Sequence, residues 1–252
     1  MNNYVKYEVK RCFFSKINLM AMIMVMVSLL IPYVSDCKFP YPNSDGTIFF
    51  IRSNIYLLPL LAPIICCLPS STKYIEDETS GISKFLFIKI KRKDYLKVRL
   101  IVNAMVSAFT IVIPQIIMLS FLILRHGING TEIEVVGAFH EVFFISKIGY
   151  IGIVLLVTML SSIVFSTFSM GLSKVVKNKY LTIIVPFVYV LISGTIFYVF
   201  GINDIFNLNV SILFDISYNL YLTIANLLIY EAILLFIGIS LFCFWGEKNS
   251  EE

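Results

Sequence analysis

The sequence predicts an all-α integral membrane protein with six transmembrane helices, and three observations carry that prediction. Hydrophobic residues make up 58% of the 252 and charged ones only 14%, against roughly 25% charged in a typical soluble domain. Mean hydropathy is +0.87. The apolar residues also lie in blocks, and a bilayer core of roughly 30 Å needs about 20 helical residues at about 1.5 Å each. Blocks of that order occupy 17–35, 100–124, 148–173, 181–200 and 220–245, with a shorter one carrying three prolines at 55–71. No run alternates polar and apolar residues over about ten positions, as a membrane β-strand would. The whole chain, 1–252, reads as one transmembrane domain.

Residues 3–16 are expected to form an interfacial helix before the first crossing. Val5, Val9, Cys12 and Phe13 recur at i, i+4, i+7 and i+8, while Lys6, Lys10 and Arg11 fall elsewhere on the wheel. A simple basic tail is the plainer alternative. The first apolar block ends without a small-residue cleavage pattern and reads as a retained anchor. In the second, Pro59, Pro63 and Pro69 lack the N–H that a helix interior needs, so a kinked helix is expected there.

Segment 72–99 is the longest connection. An acidic cluster (Glu76, Asp77, Glu78) leads to a turn at Gly81, an apolar run (Ile82, Phe85, Leu86, Phe87, Ile88) and a basic patch (Lys89, Lys91, Arg92, Lys93). A plain connector needs only a few residues, so a short helix pressing on a partner or on the bilayer is expected. Asp94 is placed to cap the third crossing.

The third and fourth crossings carry polar stripes: Asn103, Ser107, Thr110 and Pro114 on one, Thr158, Ser162, Ser166, Ser169 and Ser173 on the other. Such stripes form packing seams or, less often, walls facing a substrate. Segment 201–219 has no Lys or Arg and mixes Phe206, Leu208, Val210, Ile212, Leu213 and Phe214 with Asn and Asp. It reads as a shallow re-entrant or interfacial element before the last crossing. That crossing contains Glu231, an intramembrane acid whose charge would cost about 2.5–3.5 kcal/mol on insertion scales. It is either functional or held neutral by a polar neighbour.

Placement of charge gives the orientation. Sixteen of the 20 Lys and Arg fall on the side of 1–16, 72–99, 174–180 and the tail, and four (Lys38, Arg52, Arg125, Lys147) on the other. The positive-inside bias puts both termini in the cytoplasm of a plasma membrane. The acids Asp36, Asp45, Glu132, Glu134, Glu141, Asp204 and Asp215 then lie outside. The cations report topology and anionic headgroups, not nucleic acid. Of five cysteines, Cys37 alone lies outside, so no disulfide framework is expected.

Enzymatic chemistry is not in evidence. No Gly is followed by Lys, so the chain has no P-loop for ATP phosphates. His140-Glu141 starts like a zinc helix, but Phe144 stands where a second His is required, and no metal site is expected. No histidine shares the depth of the intramembrane serines to act as a base.

Three runs in segment 72–99 resemble the type-2 ABC exporter permeases: Glu78-Thr79-Ser80-Gly81-Ile82, Phe85-Leu86-Phe87 and Arg92-Lys93-Asp94-Tyr95-Leu96-Lys97. The resemblance is similar in kind to small peptide-export permeases of Gram-positive bacteria. It implies a permease subunit paired with a second copy, homo- or heterodimeric, and with two copies of a separate ATPase subunit that holds ATP and Mg. No cofactor is then expected in this chain. Glu76, Asp77, Glu78, Thr79, Gly81, Ile82 and Phe85 would form the coupling element, and 3–16 the elbow helix. The substrate would be an amphipathic or hydrophobic peptide, with Asn103, Ser107, Ser162, Ser166 and Glu231 as the candidate translocation path. Two other readings stay open: a self-sufficient secondary transporter, and a non-transporting membrane immunity protein.

Overall fold

Apolar length sets where the helices run, and local chemistry sets where they stop. The computed structural model describes residues 2–38, 44–130, 135–176, 178–201, 208–218 and 223–248. In chain order its helices are α1 (Asn2–Phe13), α2 (Lys16–Asp36), α3 (Gly46–Ile55), α4 (Leu58–Ile65), α5 (Leu68–Thr79), α6 (Ile82–Lys89) and α7 (Arg92–His126). They continue with α8 (His140–Ile145), α9 (Lys147–Val176), α10 (Lys179–Val199), a 3-10 turn at Val210–Leu213 and α11 (Ile224–Lys248). Six helical stretches are long and apolar enough to cross a membrane: α2, α4 with α5, α7, α9, α10 and α11. The chain is therefore a multi-pass membrane protein built of helices.

Helix α9 is the hub, packed against α11 and α7 and touching α10 and α5. Its contact with α11 brings backbone to backbone: a Cβ on Gly171 would sit 2.5 Å from the Gly238 carbonyl oxygen. Helix α2 lies along α7, with Thr110 Oγ1 donating to Asn18 Oδ1 (2.5 Å) near one end and Tyr33 Oη 3.0 Å from His126 Nε2 near the other.

The second crossing, Leu58–Thr79, is interrupted at Cys66–Cys67 between α4 and α5, in keeping with the irregular helix its prolines predict: Pro63 lies inside α4, and Pro59 and Pro69 fall in first turns, where a missing N–H costs little. It is also preceded by α3, buried from Gly46 to Asn54. Asp45 caps α3 by accepting from Thr47 N and Ile48 N, both at 3.1 Å. Helices α3 and α5 lie along α7, while α4 between them packs against α10 and α2. Gly46 lies against Leu122, Gln115 Nε2 donates to Asn54 Oδ1 (2.8 Å), and Asp77 reaches Arg99.

Gly81, at φ 75°, makes the expected turn after α5, and the short helix α6 follows. Asp94 does not cap α7. The helix starts earlier, at Arg92, which leaves Asp94 in its first turn, where the helix dipole favours an anion. Of segment 201–219, residues 201 and 208–218 are described, the latter stretch largely buried: the turn Val210–Leu213 is held by Val210 N donating to Ser193 Oγ (3.1 Å) on α10. Glu132, Glu134, Asp204 and Phe206 lie outside the described residues.

Candidate functional site

Helix α1 offers its Val5, Val9, Cys12 and Phe13 side to Val98, Val102 and Val106 of α7. That same side carries Glu8, a residue 1% exposed. A carboxylate buried so deeply needs cationic partners, and the fold supplies two. Arg11 Nη1 lies 3.2 Å from Glu8 Oε1, and its Nη2 lies 2.5 Å from Asp77 Oδ1. Arg99 Nη1 lies 3.0 Å from Glu8 Oε2, and its Nη2 bonds Asp77 Oδ2.

The four side chains close a ring. Each guanidinium bridges both acids, each acid spends one oxygen on each arginine, and the formal charges cancel. Three of the contacts are charge-assisted hydrogen bonds, the stronger class, and the Arg99–Glu8 contact is an ion pair without hydrogen-bond alignment. Tyr95 stacks beneath Arg99, whose guanidinium carbon is 5.2 Å from the ring centroid. Lys73 Nζ donates to the Arg11 carbonyl at the end of α1. Burial alone would disfavour the Arg11 charge, but the bond to Asp77 and the nearby Glu8 outweigh it. The Cys12 thiol, buried next door, is pushed up by desolvation and is no nucleophile. The ring thus ties α1, α5 and α7 together where α5 meets the Gly81 turn.

This geometry sorts the expected coupling residues. Asp77 faces inward into the ring, while Glu76, Glu78, Thr79 and Ile82 are exposed and Gly81 is half-buried. Glu78 also reaches α9: Lys174 Nζ is 3.6 Å from its Oε1 and 4.7 Å from the centroid of Tyr74. The Phe85 side chain lies outside what the structure describes.

The candidate path residues divide into separate sets. Asn103 Nδ2 donates to Ser166 Oγ (3.0 Å), which donates to Ser107 Oγ (2.9 Å), joining α7 to α9. All three are fully buried, so within one chain they form a packing seam. Ser162 Oγ turns back to the Met159 carbonyl at 2.7 Å. Glu231 belongs to a different interface, between α11 and α9, where Ser161 Oγ is 2.9 Å from its Oε1 and 2.6 Å from the Leu213 carbonyl.

Sequence reasoning missed Glu8 and Arg99 as site residues and set Arg11 off the apolar face of the first helix. A signal was present: Val5, Glu8 and Cys12 share one helical face, and an acid on an apolar face calls for a buried partner. Among the described residues no cluster of three or more His, Cys, Asp and Glu is placed to hold a metal ion. No family model matches the chain, and no curated protein matches it by sequence.

Proposed function

We propose that this chain is the transmembrane subunit of an ATP-driven exporter of the type-2 ABC permease kind, working as a pair with a separate ATPase. One observation carries the reading. The acid-rich turn at 76–82 presents Glu76, Glu78, Thr79 and Ile82 outward, while Asp77, in its midst, is fastened through the ring to α1 and α7. A partner pushing on that turn moves three helices as one body. The chain's own lack of a P-loop assigns ATP and Mg to the partner.

In this reading both termini and the 76–82 turn face the cytoplasm, α1 is the elbow helix at the inner surface, and 201–219 is the re-entrant element. The cargo is an amphipathic or hydrophobic peptide. The seam of Asn103, Ser107 and Ser166 is closed within one chain, so a path through these residues requires α7 and α9 to part during the cycle.

The test is co-purification of a tagged chain from its native membrane in mild detergent. A stoichiometric subunit carrying a Walker motif supports the proposal, and peptide-stimulated ATP hydrolysis by that complex extends it. A stable oligomer that purifies without any ATPase would overturn it in favour of a secondary transporter or an immunity protein.

A further inference from the structure

Helix α1 also borders a groove of about 550 Å3. Its walls are Val9, Phe13 and Phe14 of α1 and Met105 of α7, with Lys6 and Lys10 at its edge. Spaced i, i+4, the two lysines stand one turn apart on one face, with Cβ atoms about 6 Å apart. Both are exposed, and neither pairs with a carboxylate among the described residues.

The level of the groove follows from α7. Exposed positions are cationic at Lys91, just before α7, and at Lys93 and Lys97 within it, and become apolar from Ile101 through Met105 and Phe109. Helix α1 keeps pace with this change: Tyr4 stacks on Tyr95 at 6.4 Å between centroids, and Phe13 meets Phe109 edge-on at 6.2 Å. Lys6 and Lys10 therefore lie at the border where a bilayer turns from headgroup to acyl chain, and Met105 lies about 12 Å beyond Lys97 on the apolar side. Long lysine stems lie along apolar surface and keep their ammonium groups in the polar layer.

The geometry points to a binding site for one anionic phospholipid, its headgroup phosphate held by Lys6 and Lys10 and one acyl chain lying in the groove against Val9, Phe13 and Met105. Charge complementarity selects the occupant. Two adjacent unpaired cations over an apolar slot favour an anionic headgroup over a zwitterionic one, by a factor on the order of ten. The inference does not depend on the transport reading, because it uses only α1, α7 and the bilayer border.

Native mass spectrometry of the purified full chain, offered equimolar phosphatidylglycerol and phosphatidylcholine, tests it. The expected result is retention of phosphatidylglycerol about tenfold over phosphatidylcholine, lost in Lys6→Gln/Lys10→Gln and kept in Lys6→Arg/Lys10→Arg. Both pairs sit outside the ring, and an unchanged melting temperature shows that the fold is intact. Equal retention of the two lipids, or phosphatidylglycerol held undiminished by the glutamine variant, would overturn the site. So would displacement by inorganic phosphate, which would make the lysines a free-anion site. A photoreactive residue at position 14 labels lipid if the proposal holds, and a second copy of the chain if the groove is a subunit interface.

Discussion

Arg99 of α7 and Glu8 of α1 meet at 3.0 Å although each is almost completely shielded from solvent. The pair is half of the ring completed by Arg11 and Asp77, and it makes the first helix of the chain part of the bundle. Removing one member strands a buried charge, which costs about 3–5 kcal/mol, while exchanging the whole set for well-packed apolar residues is often neutral. Arg99→Met should therefore destabilise the purified protein by about 3 kcal/mol or more. Arg11→Met, at a side chain 27% exposed, should cost less. A double-mutant cycle on Glu8→Gln and Arg99→Gln, followed by thermal unfolding in detergent, should show strong coupling. Additive losses would mean that the ring is only a set of independent contacts.

The turn after α5 gives a functional prediction. Gly81 adopts φ 75°, and a Cβ there would meet nothing within 4 Å, so its requirement is purely conformational. Gly81→Ala should strain the turn by about 1–2 kcal/mol, Gly81→Asn by less, and Gly81→Pro cannot adopt it. Under the permease reading, Gly81→Pro and Glu78→Lys lose stimulated ATP hydrolysis in the complex while the chain still folds. Normal assembly and turnover in both variants would remove 76–82 from the coupling role.

How much of this was legible in the sequence depended on range. The α2, α7, α9, α10 and α11 crossings follow from apolar length, which is a local property. Helix α3 did not, because its apolar run is short and interrupted by Arg52 and Asn54, and it is stabilised by α2 and α7 rather than by itself. The ring was half visible. Asp77 stood in an obvious acidic cluster, yet nothing local says that it faces inward while Glu76 and Glu78 face out. Periodicity reports which face of a helix is buried; it does not report what meets that face, and Glu8, Asp77 and Arg99 meet only in the folded chain.

Glu231 is predicted to be a neutral acid with a structural role. Ser161 Oγ lies 2.6 Å from the Leu213 carbonyl. Ser161 Oγ also faces Glu231 Oε1 at 2.9 Å, and with one hydroxyl proton between two acceptors a neutral Glu231 would supply the second. An amide can make the same bond, so Glu231→Gln should change stability by less than about 1 kcal/mol and leave any transport intact. Glu231→Leu should cost about 1–3 kcal/mol by leaving Ser161 short of a partner. Transport abolished by Glu231→Gln at unchanged melting temperature would instead show that its proton is used.

At the opposite end, Asp45 makes stability depend on pH. Burial tends to raise its pKa, but Lys147 Nζ at 2.6 Å, Thr47 and the Ile48 N–H overcome that, and the net shift is downward. With a folded value below the unfolded one, of about 3.9, the carboxylate stabilises the fold above the unfolded pKa. That contribution is lost as pH falls through the folded value. Melting temperature should thus drop on acidification below about pH 4, and Asp45→Asn should flatten that part of the profile. Lys147→Met should shrink the drop. An Asp45→Asn profile identical to the parent's would show that other carboxylates govern the acid limb.

The α9–α11 contact gives the sharpest steric prediction. With a Gly171 Cβ placed 2.5 Å from the Gly238 carbonyl oxygen, and a Gly238 Cβ 2.8 Å from Phe168 Cα, neither position holds even a methyl group without the helices separating. Atoms of backbone cannot turn aside as a side chain can, so the strain spreads along both helices. Gly171→Ala and Gly238→Ala should each cost about 1–3 kcal/mol, the range for overpacking a filled interior. Their combination should cost less than the sum, because the first methyl already opens the gap that the second needs. Since Glu231 and Ser161 lie on the same two helices, that separation should also weaken their hydrogen bond. Glu231→Leu should then cost less in the Gly171→Ala background than in the parent. An unchanged cost would show that the two contacts on this interface yield independently.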